Sequence, residues 1–571
     1  MKNENLVLFL VVIFVFFCIS LAFAQPGQEP GAQAQRLQNE SEAKEKALSR
    51  KKIKPAEILV PEEKEKAVAV KEQISFTLTQ IRVTGLTVFT PQQIEPLYTY
   101  YVNQKVTFKN IDDIASKIKA MYKREGYFTT TVYIPQQEIK GGVVQISVVE
   151  GKMGELKIEG NKYFSSDLIE KFFHVKKNEI LNINKLQRDI LRLNSNSDLE
   201  LTSVLSPGKE PETSDITLKA KENFPFHIGA NFDNQGTRLS GKWRQSPTFR
   251  TSNATGNFDS LYESSVFSSD SFGEFASYAL PIGTYGTKFN INATYFKSRL
   301  GKEFKALEIR GISQIYNPYL SWELALREDF QASANLGMDI KSIKKKTSGS
   351  VTSSDQLRTP YFGFDFAKID SFSGQTTFSP KFSFGTSGFL GASHRNHPTS
   401  SRAGTGGYFF KYEQALNRIQ RMPLDSYLSV RTNFLAASHT LASSEQFQLG
   451  GANSIRGYPE GDYLADMGGS LNLDWVMPMY LIPKDWKLNN SQTPLRHLIE
   501  PVIFADVGGG RLKKVIPGEL RDKFLSGAGG GFRFHFGRYA SLNLQWARYT
   551  GNKPTSGSGP STFYFTFQSE I

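Results

Sequence analysis

The sequence of 571 residues contains a single cysteine, Cys18, which lies inside an apolar run from Leu6 to Phe23. A lipoprotein signal requires small residues just before its cysteine, and Phe16 and Phe17 do not fit that pattern. If this segment is removed, the mature chain carries no thiol. That excludes disulfides, cysteine-ligated zinc and a thiol nucleophile. A large chain of this kind must be stabilised by core burial or by a closed sheet.

Long apolar runs are absent after Ala24, and the mean hydropathy is −0.35. These two features exclude a helical membrane protein. The N-terminal run follows Lys2 and ends in Ala22-Phe23-Ala24, which is typical of a secretory signal peptide. A run of about 18 residues is also long enough for a membrane anchor. The small residues at the cleavage position favour a signal peptide over residues 1–24.

Signatures of catalysis and of metal binding are also lacking. The seven histidines are scattered; His394 and His397 are three residues apart but have no carboxylate nearby. The sequence has no nucleophile elbow, phosphate loop or dinucleotide fingerprint, so we expect no enzyme, cofactor or metal site. No nucleic-acid motif is present either. The net charge of +13 instead favours anionic lipid head groups or an acidic partner.

Aromatic residues and glycine are abundant, with 44 Phe, 23 Tyr and 47 Gly. Many aromatics at low mean hydropathy suit a transmembrane β-barrel, in which only alternate strand residues face lipid. From residue 223 onward, apolar and polar residues alternate with a period of two, as in Lys288–Tyr295, Ser470–Trp475 and Ser541–Trp546. At roughly 20 residues per strand and connection, residues 223–571 predict about sixteen antiparallel strands.

Residues 25–73 are polar, and the stretch from Ala32 to Arg50 contains good helix formers without an apolar face. Pro55 and Pro61 follow it among mixed charges. We predict a polar helix and a flexible linker, and simple disorder is the open alternative.

Residues 74–152 follow the order β-α-α-β-β. The first helix begins at Thr90, and Asn110 is predicted to cap a second helix that Gly126 ends. Strands are expected from Tyr127 to Ile134 and from Val143 to Val149. Residues 153–222 repeat this order, which predicts two small α+β units.

The segment Phe447–Gly461 reads FQLGGANSIRGYPEG, and Phe504-Ala505-Asp506 follows about fifty residues later in strand-like sequence. A cation on a glycine-rich loop and a carboxylate on a wall strand can form a charge-assisted pair. The two segments together resemble the Arg-Gly-Tyr/Phe loop of the Omp85 superfamily of outer-membrane β-barrels. The alternative is an ordinary solvated loop arginine.

The resemblance implies that the loop folds back into the barrel and that Arg456 meets Asp506 on the inner wall. Phe504 would lie on the same strand face as Asp506. Ile455 and Tyr458 would pack beside the pair. The absence of a side chain at Gly457 would allow a tight backbone approach.

The two α+β units are similar to POTRA domains, and four segments carry that similarity: Gly126-Tyr127, Ile134-Pro135-Gln136, Glu150-Gly151 and Ser206-Pro207-Gly208. Three further segments resemble two-partner secretion transporters of the ShlB/FhaC/HecB type: Phe232–Gly236, Tyr278–Gly283 and Ser443–Gly451. This family implies a helix that plugs the barrel, POTRA units over 74–152 and 153–222, and a barrel over 223–571. The chain departs from the family pattern by continuing past Phe567 to Ile571.

The resemblance implies an outer-membrane translocator that exports a secreted β-rich exoprotein without ATP. The periplasmic POTRA units would capture the partner's unfolded N-terminal secretion domain by strand addition. The predicted contacts are Phe128, Val132 and Ile134 in the first unit and Leu201, Val204 and Leu205 in the second. Packing between modules is the alternative role for these edges.

Two other functions are weighed against export. One is an assembly factor that inserts outer-membrane proteins, and the other is a porin or receptor, which the loop and the POTRA units disfavour. Outer-membrane lipid, lipopolysaccharide and the barrel-assembly machinery are expected partners. Lys341–Lys346 reads KSIKKK, and this segment either contacts lipopolysaccharide phosphates or is a solvated loop, which is the favoured alternative.

Overall fold

The computed structural model describes residues 29–49, 58–59, 75–487, 494–515, 519–537, 539–555 and 559–571. These residues form two compact units: helix α1 (Pro30–Ser49) belongs with Pro225–Ile571, and the second unit ends at Phe224. The predicted signal peptide and most of the predicted linker lie outside the described residues. Among the helices that are described, none has the length and apolar character needed to cross a membrane.

The first unit contains a closed barrel of sixteen strands, which confirms the predicted architecture. Every neighbouring pair is antiparallel, and the last strand pairs with the first. The strands are β10 (Phe226–Asp233), β11 (Arg244–Thr251), β12 (Ser260–Phe267), β13 (Ser271–Ile282), β14 (Thr287–Arg299), β15 (Arg310–Leu326), β16 (Phe330–Thr347), β17 (Ser350–Ile369), β18 (Gly374–Gly385), β19 (Phe409–Arg421), β20 (Tyr427–Ala437), β23 (Met467–Val476), β24 (Ile499–Arg511), β25 (Asp522–Phe536), β26 (Ala540–Tyr549) and β27 (Ser561–Glu570). Two short strands, β21 (Phe447–Leu449) and β22 (Tyr463–Ala465), pair with each other between β20 and β23.

The alternation in the sequence becomes an inner and an outer face. In β14, Asn290, Asn292 and Thr294 are buried, whereas Phe289 is 37% exposed on the opposite face. The inner face is therefore polar and the outer face apolar, the arrangement that a lipid-embedded barrel requires. Ala34 and Leu37 of α1 pack inside against Phe296.

The residues that follow Phe567 take part in closing the barrel. Ser569 and Glu570 lie opposite Ala230 and Gly229 of β10, respectively. Glu570 also forms an ion pair with Arg250 at 2.8 Å. The extension beyond the aromatic residue thus lengthens the seam between the last and first strands.

The second unit contains both predicted β-α-α-β-β repeats. The first repeat comprises β2 (Ser75–Thr77), β3 (Gln80–Thr84), α2 (Pro91–Ile94), β4 (Lys105–Thr107), α3 (Phe108–Arg124), β5 (Thr131–Tyr133) and β6 (Val143–Val149). The second comprises β7 (Lys152–Glu159), α4 (Ser166–Lys171), α5 (Ile183–Leu193), β8 (Leu199–Pro207) and β9 (Thr213–Glu222), with the short linker strand β1 (Ile58–Leu59) added to its sheet. Short 3-10 helices cover Glu95–Leu97, Thr99–Tyr101, Lys302–Leu307, Phe389–Gly391 and Leu495–His497.

Local capping explains the helix starts and corrects one of them. Thr90 and Gln93 form a capping box ahead of α2, as the sequence predicts. Helix α3 begins three residues earlier than predicted, because Thr107 is its cap and Asn110 supplies the reciprocal acceptor. The predicted strand Tyr127–Ile134 is also shorter and covers only Thr131–Tyr133.

Glu150 joins the ends of the first repeat. Its carboxylate accepts hydrogen bonds from the backbone N–H groups of Thr87 and Val88, both at 2.9 Å, and from the Tyr122 hydroxyl at 2.6 Å. Burial alone would raise the pKa of Glu150, but these bonds and that of the Thr87 hydroxyl hold the pKa below its ordinary value.

We expect Glu150→Gln to destabilise the first repeat by about 1–3 kcal/mol, because an amide cannot replace a carboxylate that accepts several hydrogen bonds. Since the pKa of the folded state is lowered, this stabilisation is fully present above the ordinary glutamate pKa of about 4.3. It is lost as the pH falls below that value toward the pKa of the folded state. Hydrogen exchange at Thr87 and Val88 in the full chain measures both effects. Equal protection of the two proteins at neutral pH would contradict this role.

Candidate functional site

A long connection between β20 and β23, residues 438–466, contains the predicted arginine motif, and we call it the Arg456 loop. Ile455 is fully buried, and Tyr458 is 1% exposed. They share a cluster with Leu449 from the same loop and Leu525 of β25. An apolar cluster formed between a loop and wall strands fixes the loop against the inside of the barrel.

The structure brings Arg456 and Asp506 together. The Arg456 backbone N–H donates to Asp506 Oδ2 at 2.9 Å, Nε donates to the same oxygen at 2.7 Å, and Nη2 donates to Oδ1 at 2.7 Å. Arg456 is 2% exposed and Asp506 is fully buried. The bidentate geometry of a planar guanidinium on a carboxylate is strong and directional. Its role in function remains a prediction.

Three other groups complete this site. The guanidinium carbon of Arg456 lies 3.5 Å from the centre of the Phe504 ring, which is a cation–π contact. Asp474 forms a second ion pair with Arg456 Nη2, and Asn472 Nδ2 donates a hydrogen bond to Asp506 Oδ1 at 2.8 Å. The motif comparison missed Asp474 and Asn472. Only the register between β23 and β24 could have predicted them, because Asn472 is directly opposite Asp506 and Asp474 is opposite Phe504.

Glycines allow the loop to lie against the wall. Gly457 has φ +95°, and a Cβ there would come within 2.6 Å of the Tyr549 nitrogen. A Cβ on Gly527 of β25 would lie 2.0 Å from the Arg456 carbonyl oxygen. Tyr458 donates its hydroxyl to the Asn552 carbonyl at 2.8 Å. Because both the loop and the wall lack a side chain at the contact, the two backbones can approach closely.

We expect Gly527→Val to displace the Arg456 loop, because the added methyl groups would overlap the Arg456 carbonyl oxygen. Gly559→Val is a matched control, since a Cβ at Gly559 has open space around it. Protease cutting within residues 438–466 of the folded barrel should increase for Gly527→Val only. Unchanged cutting would mean that the loop accommodates the side chain.

Helix α1 lies inside the barrel, and polar contacts hold it there. Arg36 Nη1 pairs with Glu460 of the Arg456 loop at 3.1 Å, and Glu40 Oε2 pairs with Arg244 of β11 at 2.9 Å. Arg244 also pairs with Asp233 at 2.8 Å. The polar lumen explains why this helix needs no continuous apolar face.

The solvated-loop alternative for Lys341–Lys346 is wrong, because these residues belong to strand β16. Lys341 is 1% exposed and points into the barrel. Its Nζ lies 2.5 Å from Glu445 Oε1 in the Arg456 loop and donates to Gln35 Oε1 of α1 at 2.6 Å. Lys411 of β19 holds the other Glu445 oxygen at 2.5 Å. One lysine thus connects wall, loop and helix.

The predicted partner-binding residues differ in accessibility. In the first repeat, β5 pairs with β6 alone among the described strands, so its other side is a free edge within that part of the chain. Phe128 is 48% exposed in the turn before this strand. Val132 and Ile134 pack partly against the core of the repeat.

In the second repeat, the predicted edge strand is already paired. Leu201 and Leu205 of β8 are buried in the core, and Val204 is half-buried. On the open side of β8, Leu59 of β1 lies in parallel register with Val204. The two side chains Leu201 and Leu205 therefore cannot contact a partner without unfolding the repeat, and the backbone edge is covered by the linker.

Within the described ranges, no group of three or more His, Cys, Asp or Glu side chains is arranged to hold a metal ion. His394 and His397 lie in the β18–β19 connection, and each forms a hydrogen bond at 3.1 Å with a nearby hydroxyl, that of Ser387 and Thr399 respectively.

Two family models match the chain. The model of the haemolysin secretion/activation proteins ShlB/FhaC/HecB matches residues 212–534, and that of the ShlB-type POTRA domain matches residues 76–151. The heme/hemopexin transporter protein HuxB of Haemophilus influenzae is 24% identical over 406 residues, which cover 70% of this chain and 72% of HuxB. The outer membrane transporter CdiB of Dickeya dadantii is 24% identical over 400 residues, covering 67% and 69% of the two chains.

Solved structures share the fold. CdiB from Escherichia coli superposes with a TM-score of 0.73 at 21% identity, covering 96% of this chain and all of that one. CdiB from Acinetobacter baumannii gives a TM-score of 0.67 at 16% identity, covering 95% and 98% of the two chains.

Proposed function

Because this chain belongs to the family of haemolysin secretion/activation proteins ShlB, FhaC and HecB, we propose that it exports one secreted, β-rich exoprotein through its barrel. It is an outer-membrane transporter of two-partner secretion. Its family is one of transporters, and we propose that it has no catalytic activity. The proposed division of the chain is a signal peptide (1–24), helix and linker (25–73), two periplasmic POTRA domains (74–152 and 153–222) and the barrel (223–571).

The observation that carries this proposal is the buried Arg456–Asp506 pair inside a closed barrel. A buried ion pair contributes little net stability compared with apolar packing, so its value lies in holding one specific arrangement. We propose that it keeps the Arg456 loop in the lumen and that α1 plugs the remaining space. Export then requires α1 to leave while the loop keeps its position.

Partner capture is proposed to begin at the free edge of β5 in the first POTRA domain. An extended segment of the partner could add there as a further strand, with main-chain hydrogen bonds supplying affinity. The exposed Phe128 and Tyr133, each 48% accessible, would contact its side chains. Folding of the partner outside the cell makes export irreversible without ATP.

The edge of β8 in the second POTRA domain is proposed to become available only after β1 leaves. Two residues of parallel pairing, Ile58 with Ser203 and Leu59 with Val204, are a small contact. A longer partner strand would form more main-chain hydrogen bonds and so displace it.

Covalent closure of this edge should block export. The chain has no cysteine apart from Cys18, so Leu59→Cys combined with Val204→Cys would form one disulfide between register partners. We expect export to stop in the oxidised double variant and to resume when a reductant is added. The single variants serve as controls. Continued export by the fully oxidised protein would show that the β8 edge need not open.

The overall function is tested by deleting this chain and comparing secreted proteins in the culture supernatant. Loss of one large polypeptide, with normal outer-membrane proteins, is the expected result. A general loss of outer-membrane proteins would instead favour an Omp85-type assembly factor. Lipopolysaccharide and the barrel-assembly machinery are proposed as further partners, since the barrel must be inserted into and surrounded by that membrane.

A further inference from the structure

Positive charges form two rows on neighbouring strands at one end of the barrel. Arg299 of β14 lies directly opposite Arg310 of β15, and Arg310 lies opposite Lys346 of β16. Two residues further along, Lys297 and Lys344 flank Ile312 in the same manner. Directly opposed side chains in a sheet are about 5 Å apart at Cβ, so the first row is a close cluster of cations, and in the second row the two lysines flank Ile312 on either side.

The lysines of both rows face outward, away from the lumen. Phe296, which precedes Lys297, is buried against α1, and Ile343, which precedes Lys344, is 3% exposed on the inner side. Because successive strand residues point to opposite faces, Lys297 and Lys344 lie outside. Lys344 and Lys346 are exposed, whereas Lys345 points toward Glu29, 3.7 Å away.

These lysines have little internal compensation. The side chains of Lys297, Lys344 and Lys346 form no hydrogen bond or ion pair with any residue that the structure describes. Arg310 pairs with Glu308 at 3.3 Å, but both side chains are more than half exposed, and such a pair is weak. Like charges directly opposite one another destabilise a sheet, so an anion bound between the rows would relieve their repulsion.

The rows lie at the end of the barrel that faces the cell exterior. Strand β10 begins at Phe226, directly after the POTRA units end in the chain at Phe224, and such units are periplasmic in this family. The β14–β15 and β16–β17 connections are therefore at the opposite end. Below the rows, the outer face carries Tyr295 and Tyr316 and then Phe289, Leu336 and Phe362. Tyrosines mark the interface and the apolar residues mark the lipid-facing wall.

We propose that Lys297, Lys344 and Lys346 form a binding site for the phosphate groups of lipopolysaccharide. A lysine ammonium binds phosphate as a point charge, and the phosphates of this lipid lie where the tyrosines place the interface. Its acyl chains then run along the apolar wall below the rows. The site rests on the outer-membrane placement in the proposed function and gives the predicted lipopolysaccharide contact a specific location.

The test uses the purified full-length protein in detergent and fluorescent lipopolysaccharide. The variant carries Lys297→Gln, Lys344→Gln and Lys346→Gln. The control carries Lys105→Gln, Lys109→Gln and Lys123→Gln, which remove the same charge from exposed positions in the first POTRA domain. We expect the dissociation constant to increase at least about tenfold for the variant, because each cation near an anionic lipid surface contributes to binding. The control should bind as the unmodified protein does.

Two further comparisons identify the ligand. Dephosphorylated lipopolysaccharide should bind the unmodified protein as weakly as the intact lipid binds the variant. Vesicles of phosphatidylglycerol should not compete. Equal binding by variant and unmodified protein, or full competition by phosphatidylglycerol, would overturn the site. Export of the partner is measured separately in cells that carry the same variants, so unchanged lipid binding with normal export overturns this site and leaves the proposed function standing.

Discussion

Arg456→Ala is expected to abolish export while the barrel still inserts into the outer membrane. The substitution leaves Asp506 buried without its cation, which costs about 3–5 kcal/mol at this site, whereas Asp474 keeps its ion pair with Arg533 at 3.1 Å. The Arg456 loop is destabilised and the wall is not, because the sixteen strands keep their own hydrogen-bond ladders. The loop therefore leaves its position, whereas the wall remains closed.

Two measurements separate these effects. The secreted partner is quantified in the supernatant, and heat-modifiable migration of the barrel during electrophoresis reports its folding. Arg456→Lys should retain the charge but lose the bidentate contact, so its export should fall between the two extremes. Lys553→Ala, an exposed loop cation, is the control. Normal export by a correctly inserted Arg456→Ala protein would remove the main support for the proposed mechanism.

The second large effect is expected from Glu40→Arg in helix α1. This change removes the ion pair with Arg244 and places a third cation beside Arg244 and Arg36. Losing a buried pair and adding like-charge repulsion costs about 3–5 kcal/mol. Each 1.4 kcal/mol is about a tenfold change in a population. The fraction of barrels with α1 in the lumen should therefore fall by about a hundredfold or more.

Pore conductance in planar bilayers tests this expectation, because an empty lumen passes ions continuously. Ala43→Arg adds a cation at an exposed position of the same helix and should leave conductance unchanged. Glu40→Gln removes the ion pair without adding repulsion and should give an intermediate conductance. A Glu40→Arg barrel that conducts no better than the unmodified protein would show that the helix is not held by these charges.

Much of the architecture could be predicted from the chain alone. The alternation in segments such as Lys288–Tyr295 predicts strands with one polar and one apolar face, and sixteen strands follow from the length of residues 223–571. The Thr90–Gln93 capping pattern predicts a helix start because the two side chains satisfy neighbouring backbone N–H groups. The family resemblance around Arg456 also predicts Asp506 as its partner, and the structure pairs the two side chains.

The contacts across the lumen could not be predicted in this way. Asp474 meets Arg456, Glu445 meets Lys341, and Glu40 meets Arg244, although 18, 104 and 204 positions separate the members of these pairs. A period of two shows only that neighbouring residues face opposite ways. Which residues stand opposite one another depends on the register between strands and on how the sheet closes.

By itself, the sequence determined that this chain forms a barrel behind two small α+β units, since local periodicity and capping act between residues close in the chain. Only the tertiary structure decided that Lys341 faces inward to Glu445 while Lys344 faces outward from the barrel. Because barrel closure turns one face of every strand toward the lumen, Lys341 makes an internal contact and the nearby Lys344 lies on the external surface.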